Sequence, residues 1–126
     1  MPSPLRHPVA LLGACLLAAT GLRAIETPNY ETQIRSILKE HCTHCHGEEE
    51  KPKGGVDLRQ RRLLLNRSES GIVLVPGKPT QSHLLSVLKS GEMPKGGKPL
   101  LPDQVMLIER WISQGAPTLR SEPLEV

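Results

Sequence analysis

The sequence predicts an all-α domain of three main helices joined by long irregular loops. Apolar residues recur at the helical period in three stretches, around Tyr30–Leu38, Leu84–Leu88 and Val105–Ile112, while only Ile72–Val75 reads as an extended apolar run. Between them the chain is rich in breakers, with 11 Gly and 12 Pro among 126 residues. The length allows one domain and no more. Its interior is short of large side chains, because there is no Phe, one Trp (Trp111) and one Tyr (Tyr30). A small domain with so few aromatics buries little apolar surface by itself.

The first segment reads as a targeting sequence and is set aside from the fold. Arg6 and His7 form a weakly basic start, Val9–Ala19 an apolar core, and Leu22-Arg23-Ala24 a site for cleavage after Ala24. The apolar run is too short for a convincing transmembrane span. Leu12-Gly13-Ala14-Cys15 also resembles a lipobox in which Cys15 would carry a lipid, although the apolar run continues past it. The expectation is a signal peptide over residues 1–24, with an uncleaved or lipidated anchor as the alternative, and a mature domain over residues 25–126. Removing residues 1–24 takes away Arg6 and Arg23 and no acid, lowering the formal charge from +3 to +1. No nucleic-acid footprint remains. The mature chain keeps two cysteines, Cys42 and Cys45.

The mature chain opens with a helix for which Thr27 serves as N-cap and Pro28 as first helical residue. Tyr30, Ile34, Ile37 and Leu38 fall on one stripe, and Cys42 continues it. The helix therefore delivers its stripe into Cys42-Thr43-His44-Cys45-His46, a C-x-x-C-H run. Two thiols at this spacing can each form a thioether to a vinyl group of haem, and the following imidazole then lies under the iron, so the run reads as a c-type haem attachment site. C-x-x-C also serves zinc sites and thiol redox centres. His41 and His44 read as solvent-facing or locally hydrogen-bonded.

Residues 47–77 are irregular, with Glu48-Glu49-Glu50-Lys51 as a solvated cluster, Gly54-Gly55 as a turn and Arg59–Leu65 as a short helix. Arg59, Arg61, Arg62 and Arg67 have the chemistry to meet haem propionates, yet such arginines are more often wet surface. A second helix spans Pro79–Lys89, with Leu84, Leu85, Val87 and Leu88 on its buried arc, His83 at the edge and Gly91 past its end. The loop after it carries Met93 and Pro94. The last helix runs from Pro102 to Gln114. At about 100° per residue, Val105, Leu107, Ile108, Trp111 and Ile112 share a face and Met106 lies opposite, exposed. That leaves Met93 as the methionine placed to offer sulfur to a second axial position, an arrangement that raises a cytochrome's potential. His83 is its rival, although an edge histidine with no ligand role is the plainer reading of it; a core gap-filler is the plainer role for Met93, but beside C-x-x-C-H the ligand role is preferred.

From Ile34 to Pro117 the chain resembles the planctomycete-type cytochrome c domain. The matching pieces are Cys42-x-x-Cys45-His46-Gly47, Gly54-Gly55-Val56-Asp57-Leu58-Arg59, Ser70-Gly71, Val75-Pro76-Gly77-x-Pro79, Ser82-x-Leu84, Met93-Pro94 and Trp111-Ile112-x-x-Gly115-Ala116-Pro117. The resemblance implies a small cytochrome c-like fold around one covalently bound haem, with Cys42 and Cys45 as thioether residues, His46 as proximal iron ligand and Met93 as distal ligand. The domain core runs over about residues 30–117 and a short tail follows. Two departures stand out: Lys95 where the family has a second Pro, and Leu101 where it has a Ser or Thr capping the last helix. The second predicts a poorly capped helix start, a loss of about 1 kcal/mol.

Three function classes compete. The leading one is an exported, periplasmic c-type cytochrome that passes single electrons between a donor and an acceptor, one of which could be a larger exported or membrane-bound protein. The second is a structural zinc or copper module using Cys42, Cys45, His46 and His83, but no second C-x-x-C or H-x-x-x-H pair is present. The third is a thiol oxidoreductase, for which the thioredoxin-like alternation of strands and helices is missing. No paired-carboxylate, nucleophile–base or phosphate-loop pattern argues for an enzyme, and an iron held by both His and Met has no open position for peroxide.

Overall fold

The structure is a computed structural model and describes Met1 and residues 26–125. The expected signal peptide, its cleavage site and the lipobox Cys15 lie outside the described residues. The described chain is helical with little sheet. Helix 1 begins as a π-helical stretch, Tyr30–Ile34, and continues as α1, Arg35–His41. α2 spans His83–Ser90 and α3 spans Pro102–Ser113. Short 3₁₀ turns lie at Lys53–Gly55, Leu63–Leu65 and Pro79–Gln81. A two-residue hairpin pairs β1, Arg67–Ser68, with β2, Gly71–Ile72, antiparallel.

Helix 1 starts later than its sequence suggested. Asn29 is the N-cap: its Oδ1 accepts from the Thr32 N–H at 3.0 Å, and its own N–H donates to Gln33 Oε1 at 3.0 Å. This reciprocal pair outcompetes Thr27, which stays exposed, and Pro28 is buried ahead of the helix rather than inside it. The expected helix over Arg59–Leu65 shrinks to its last three residues. The second helix is broken near its start by Ser82, whose backbone is extended. Ser82 is 1 % exposed; its Oγ donates to Lys78 O at 3.0 Å and accepts from the Val75 N–H at 3.0 Å. One hydroxyl thus satisfies the bend that turns the chain into α2.

The core forms where the three stripes meet. Ile34, Leu38, Leu64, Leu74, Ile108, Trp111 and Ile112 are fully buried, and the expected arc of α2, Leu84, Leu85, Val87 and Leu88, is buried as well. Met106 is exposed, as the helical phase of α3 requires. Trp111 is the centrepiece: its ring lies 5.9 Å from that of Tyr30, and its Nε1–H donates to Pro117 O at 3.0 Å. Pro117 O also accepts the Tyr30 N–H at 3.0 Å, so the end of the fold is stitched to its beginning.

Both termini of α3 are finished by local chemistry. At the start, Gln104 Oε1 accepts the Leu101 N–H at 2.8 Å, half of a capping box; the Leu101 side chain, having no acceptor, leaves the other half unmade. The helix start is better capped than Leu101 alone implied, because Gln104 reaches back. At the end, Gly115 (φ 93°) donates to Ile112 O at 3.0 Å and Ala116 donates to Trp111 O at 2.9 Å, the paired bonds of a Schellman motif. Ala116 is fully buried at φ 52°, so the core closes over the helix end.

Candidate haem site

Cys42 ends α1, and the chain folds back on itself at once. The Cys45 and His46 N–H groups both donate to Cys42 O, at 3.2 and 3.0 Å, so Cys45 and His46 turn back onto the helix end. Thr43 Oγ1 donates to Glu48 Oε1 at 3.1 Å, and the Glu48 N–H donates to Thr43 O at 2.8 Å, which braces the turn from behind. The two thiols are free of one another. Burial pushes the Cys42 thiol up to about 11, so it sits as a neutral thiol against the core.

His46 is held from three directions. Its carbonyl accepts the Leu58 N–H at 2.8 Å, its amide is bonded to Cys42, and its Nδ1 lies 3.0 Å from Lys53 O. A carbonyl can only accept, so Nδ1 carries the hydrogen in this bond, and in the neutral ring Nε2 is then the nitrogen with the free lone pair. That is the arrangement found around metal-ligating imidazoles: a donor bond on one nitrogen fixes the ring and leaves the other basic. Lys53 is placed by the Lys53 N–H bond to Cys45 O at 3.0 Å and by the 3₁₀ turn that it begins, in which Gly54 and Gly55 adopt φ 64° and 69°. No reading of the motif pointed to Lys53, because its role is played by a main-chain carbonyl that carries no side-chain signature.

Behind the imidazole, Gly47 packs against Arg59. A Cβ at Gly47 would come within 2.6 Å of Arg59 Cγ and 3.0 Å of Asp57 Oδ1. Arg59 is clamped there by a forked pair with Asp57, Nη2 to Oδ2 at 2.6 Å and Nε to Oδ1 at 3.0 Å. Although burial alone would raise it, the Arg59 hydrogen bonds and charge hold the Asp57 carboxyl below the usual range. Arg59 is therefore committed to Asp57. Arg61 and Arg62 are likewise committed, to the carbonyls of Gly115 and Ala116 and of Pro123 and Leu124 respectively. Of the four arginines considered for propionates, three have protein partners, and Arg67 is exposed on β1.

Met93 follows α2 by way of Gly91, whose φ of 76° ends the helix. The Met93 N–H donates to Val87 O at 3.1 Å, and the side chain packs half-buried against the core. Cys42, Val56, Leu100, Val105 and Leu107 do the same. Each of these apolar side chains packs against the core that the three helices share while staying only partly buried. His83 opens α2, half-buried. His44 is exposed as expected, but His41 is not: its imidazole is 8 % exposed, on the Ile34–Ile37–Leu38 stripe, with Nε2 buried and unpartnered. Among the described residues, no group of three or more His, Cys, Asp or Glu side chains converges as a metal cage.

A cavity of about 380 Å³ lies elsewhere, between helix 1, Leu58–Gln60 and the carboxyl-terminal tail. Its walls include Thr43 and Glu48 from the back of the turn but none of Cys42, Cys45, His46 and Met93. Tyr30 lines it, donating its hydroxyl to Leu58 O at 2.9 Å; burial, with Glu122 adding to it, pushes that phenol well above its ordinary value.

Residues 42–97 match the family model described as Planctomycete cytochrome C. The matched stretch contains the pentapeptide, the Gly54–Arg59 segment and Met93, and the family is the one that the motifs resemble. No curated protein and no solved structure matches the chain. A cytochrome c domain implies covalently bound haem. The residues present fit that group: two free thiols on one turn, an imidazole whose Nδ1 is held so that Nε2 can bind iron, a thioether sulfur, and partly buried apolar side chains on a core poor in aromatics.

Proposed function

We propose that this protein is an exported c-type cytochrome that holds one haem covalently and passes single electrons between redox partners. The observation that carries the reading is the pinned imidazole: His46 Nδ1 on Lys53 O, on the same turn that presents Cys42 and Cys45. Bound haem supplies a one-electron couple at iron. Cys42 and Cys45 would hold it through thioethers, His46 Nε2 would be the proximal ligand and Met93 Sδ the distal one, which favours the reduced state and raises the potential.

The chain's own residues set how the group is held. The Lys53 carbonyl fixes ring orientation and keeps Nε2 basic, and the Leu58 bond to the His46 carbonyl fixes the backbone beneath it. Val56, Leu100, Val105 and Leu107 would cover the macrocycle and keep water from the iron. A carrier built this way needs no substrate pocket. The zinc alternative gains no support from the arrangement, since among the described residues no three His, Cys, Asp or Glu side chains converge to hold a metal ion.

The test is to make the full chain in cells that attach c-type haem and to follow its absorption and mass. The expected result is one haem per chain that stays attached under denaturing conditions and is lost when Cys42 and Cys45 are both changed to Ser. A colourless product with two free or bridged thiols overturns the reading. Sequencing the amino terminus of the exported protein checks cleavage after Ala24.

A further inference from the structure

The cavity between helix 1, Leu58–Gln60 and the carboxyl-terminal tail takes no part in holding haem, and the polar groups of its wall do not satisfy one another. Its volume of about 380 Å³ lies within the range of about 300–1,000 Å³ common among small-molecule sites. Four cations line it: Arg35 and Lys39 from α1, Arg59, and Arg120 from the tail. Arg59 is committed to Asp57, whereas the other three form no ion pair among the described residues. Arg35 and Lys39 stand four residues apart and so share a helix face, where like charges repel. Burial pushes the Tyr30 phenol up, and the Arg35 charge, close by on the same cavity wall, works against that push.

The carboxylates of the wall are engaged with other donors. Both oxygens of Glu122 accept from main-chain amides, those of Arg61 and Arg62. Glu48 Oε1 accepts from Thr43 Oγ1, and Glu31 Oε2 accepts from the Leu119 N–H. Two acceptors on cavity-lining side chains, Glu31 Oε1 and Gln60 Oε1, are buried with no donor at all, and each carries an uncompensated desolvation cost. The unmet groups are therefore of two kinds, three cationic donors and two acceptors. A bare anion answers the first and leaves the second; a neutral polyol does the reverse. A molecule with both an oxyanion and hydroxyl groups answers both, because its oxyanion accepts charge-assisted bonds and its hydroxyls donate.

We propose that this cavity is a binding site for a small hydroxylated oxyanion of the sugar-acid or sugar-phosphate class, its carboxylate or phosphate held by Arg35, Lys39 and Arg120 and its hydroxyls by Glu31 and Gln60. The tail contributes Arg120 and closes one wall, so the bound molecule joins the tail to helix 1. The inference does not rest on haem, since none of Cys42, Cys45, His46 and Met93 lines the cavity.

The experiment is isothermal titration calorimetry of the full chain at fixed ionic strength with gluconate, glucose 6-phosphate, inorganic phosphate and glucose. At least one of the two hydroxylated anions is expected to bind at one site per chain, about tenfold more tightly than inorganic phosphate, and glucose is expected to give no binding. Comparison of gluconate with glucose 6-phosphate tells whether the site takes a carboxylate or a phosphate. Arg35→Gln, Lys39→Gln and Arg120→Gln are each expected to weaken binding about fivefold, Lys39→Arg to preserve it, and Lys78→Gln, at an exposed cation outside the cavity, to leave it unchanged. The three cavity cations are exposed, so these variants are expected to melt as wild type does. Absence of binding by both hydroxylated anions, equally tight binding of inorganic phosphate, or an equal loss from Lys78→Gln overturns the proposal.

Discussion

Around the proximal turn nearly every polar group is tied to another part of the chain, whereas around Met93 almost none is. From Cys42 to Leu58, the carbonyls of Cys42, Thr43, Cys45, His46 and Lys53 all accept defined bonds, and Asp57 and Arg59 lock the backing. Met93 has its single amide bond to Val87 O, and from Pro94 to Leu100 no hydrogen bond ties the loop down among the described residues. The difference separates two ways of placing a ligand. A histidine next to its own attachment residues is positioned by local bonding, while a methionine far along the chain is delivered by the packing of the helix before it. On the proposed reading, rigid placement on one side and a loosely bonded loop on the other would leave Met93 the more exchangeable of the two ligands.

Changes on the proximal side should therefore cost more than changes on the distal side. The largest effect is expected from Gly47→Ala: the added Cβ collides with Arg59 Cγ, and Arg59 cannot yield without breaking its pair with Asp57. A loss of about 2 kcal/mol in chemical denaturation is expected, and a neutral result would break the contrast.

Next comes Asp57→Asn, with an expected cost of about 1–2 kcal/mol at pH 7 from the lost charged hydrogen bonds, discounted for partial exposure. Its pH dependence has a definite sign. The folded carboxyl is held below its ordinary value of about 4, so the stabilisation is complete above that value and fades as pH falls through the lower, folded one. Wild type and variant should converge in acid, as followed by thermal melts across pH.

Met93→Ala should cost only about 1 kcal/mol in folding, because its side chain is half-buried, while lowering the midpoint potential and changing the absorption of the haem-loaded protein. An unchanged spectrum and potential would remove Met93 from the iron and sharpen the question of His83. The smallest effect is a gain: Leu101→Ser completes the capping box that Gln104 half supplies and should add about 0.5–1 kcal/mol, read as a higher melting temperature.

Much of this was legible in the residues. The arcs of α2 and α3 follow directly from helical phase, and Met106 falls outside for the same reason. The pentapeptide and its spaced companions pointed to the family that residues 42–97 match. What escaped was chemistry without a local signature. Asn29 displaced Thr27 because the cap is decided by which side chain reaches the free amides. His41 turned inward because its stripe position outweighed its polarity, and Arg61 and Arg62 found partners more than fifty residues away.

The sequence by itself determined that three main helices form, which faces they bury and where the C-x-x-C-H run lies, since all of these depend on spacing along a single element. Only the tertiary structure decided that a lysine carbonyl orients His46, that Asp57 and Arg59 back Gly47, and that the tail lies on the Gln60–Arg62 turn. Those depend on main-chain groups and on residues distant in sequence. Every residue carries the same carbonyl and amide, so only the folded path shows which of them meet.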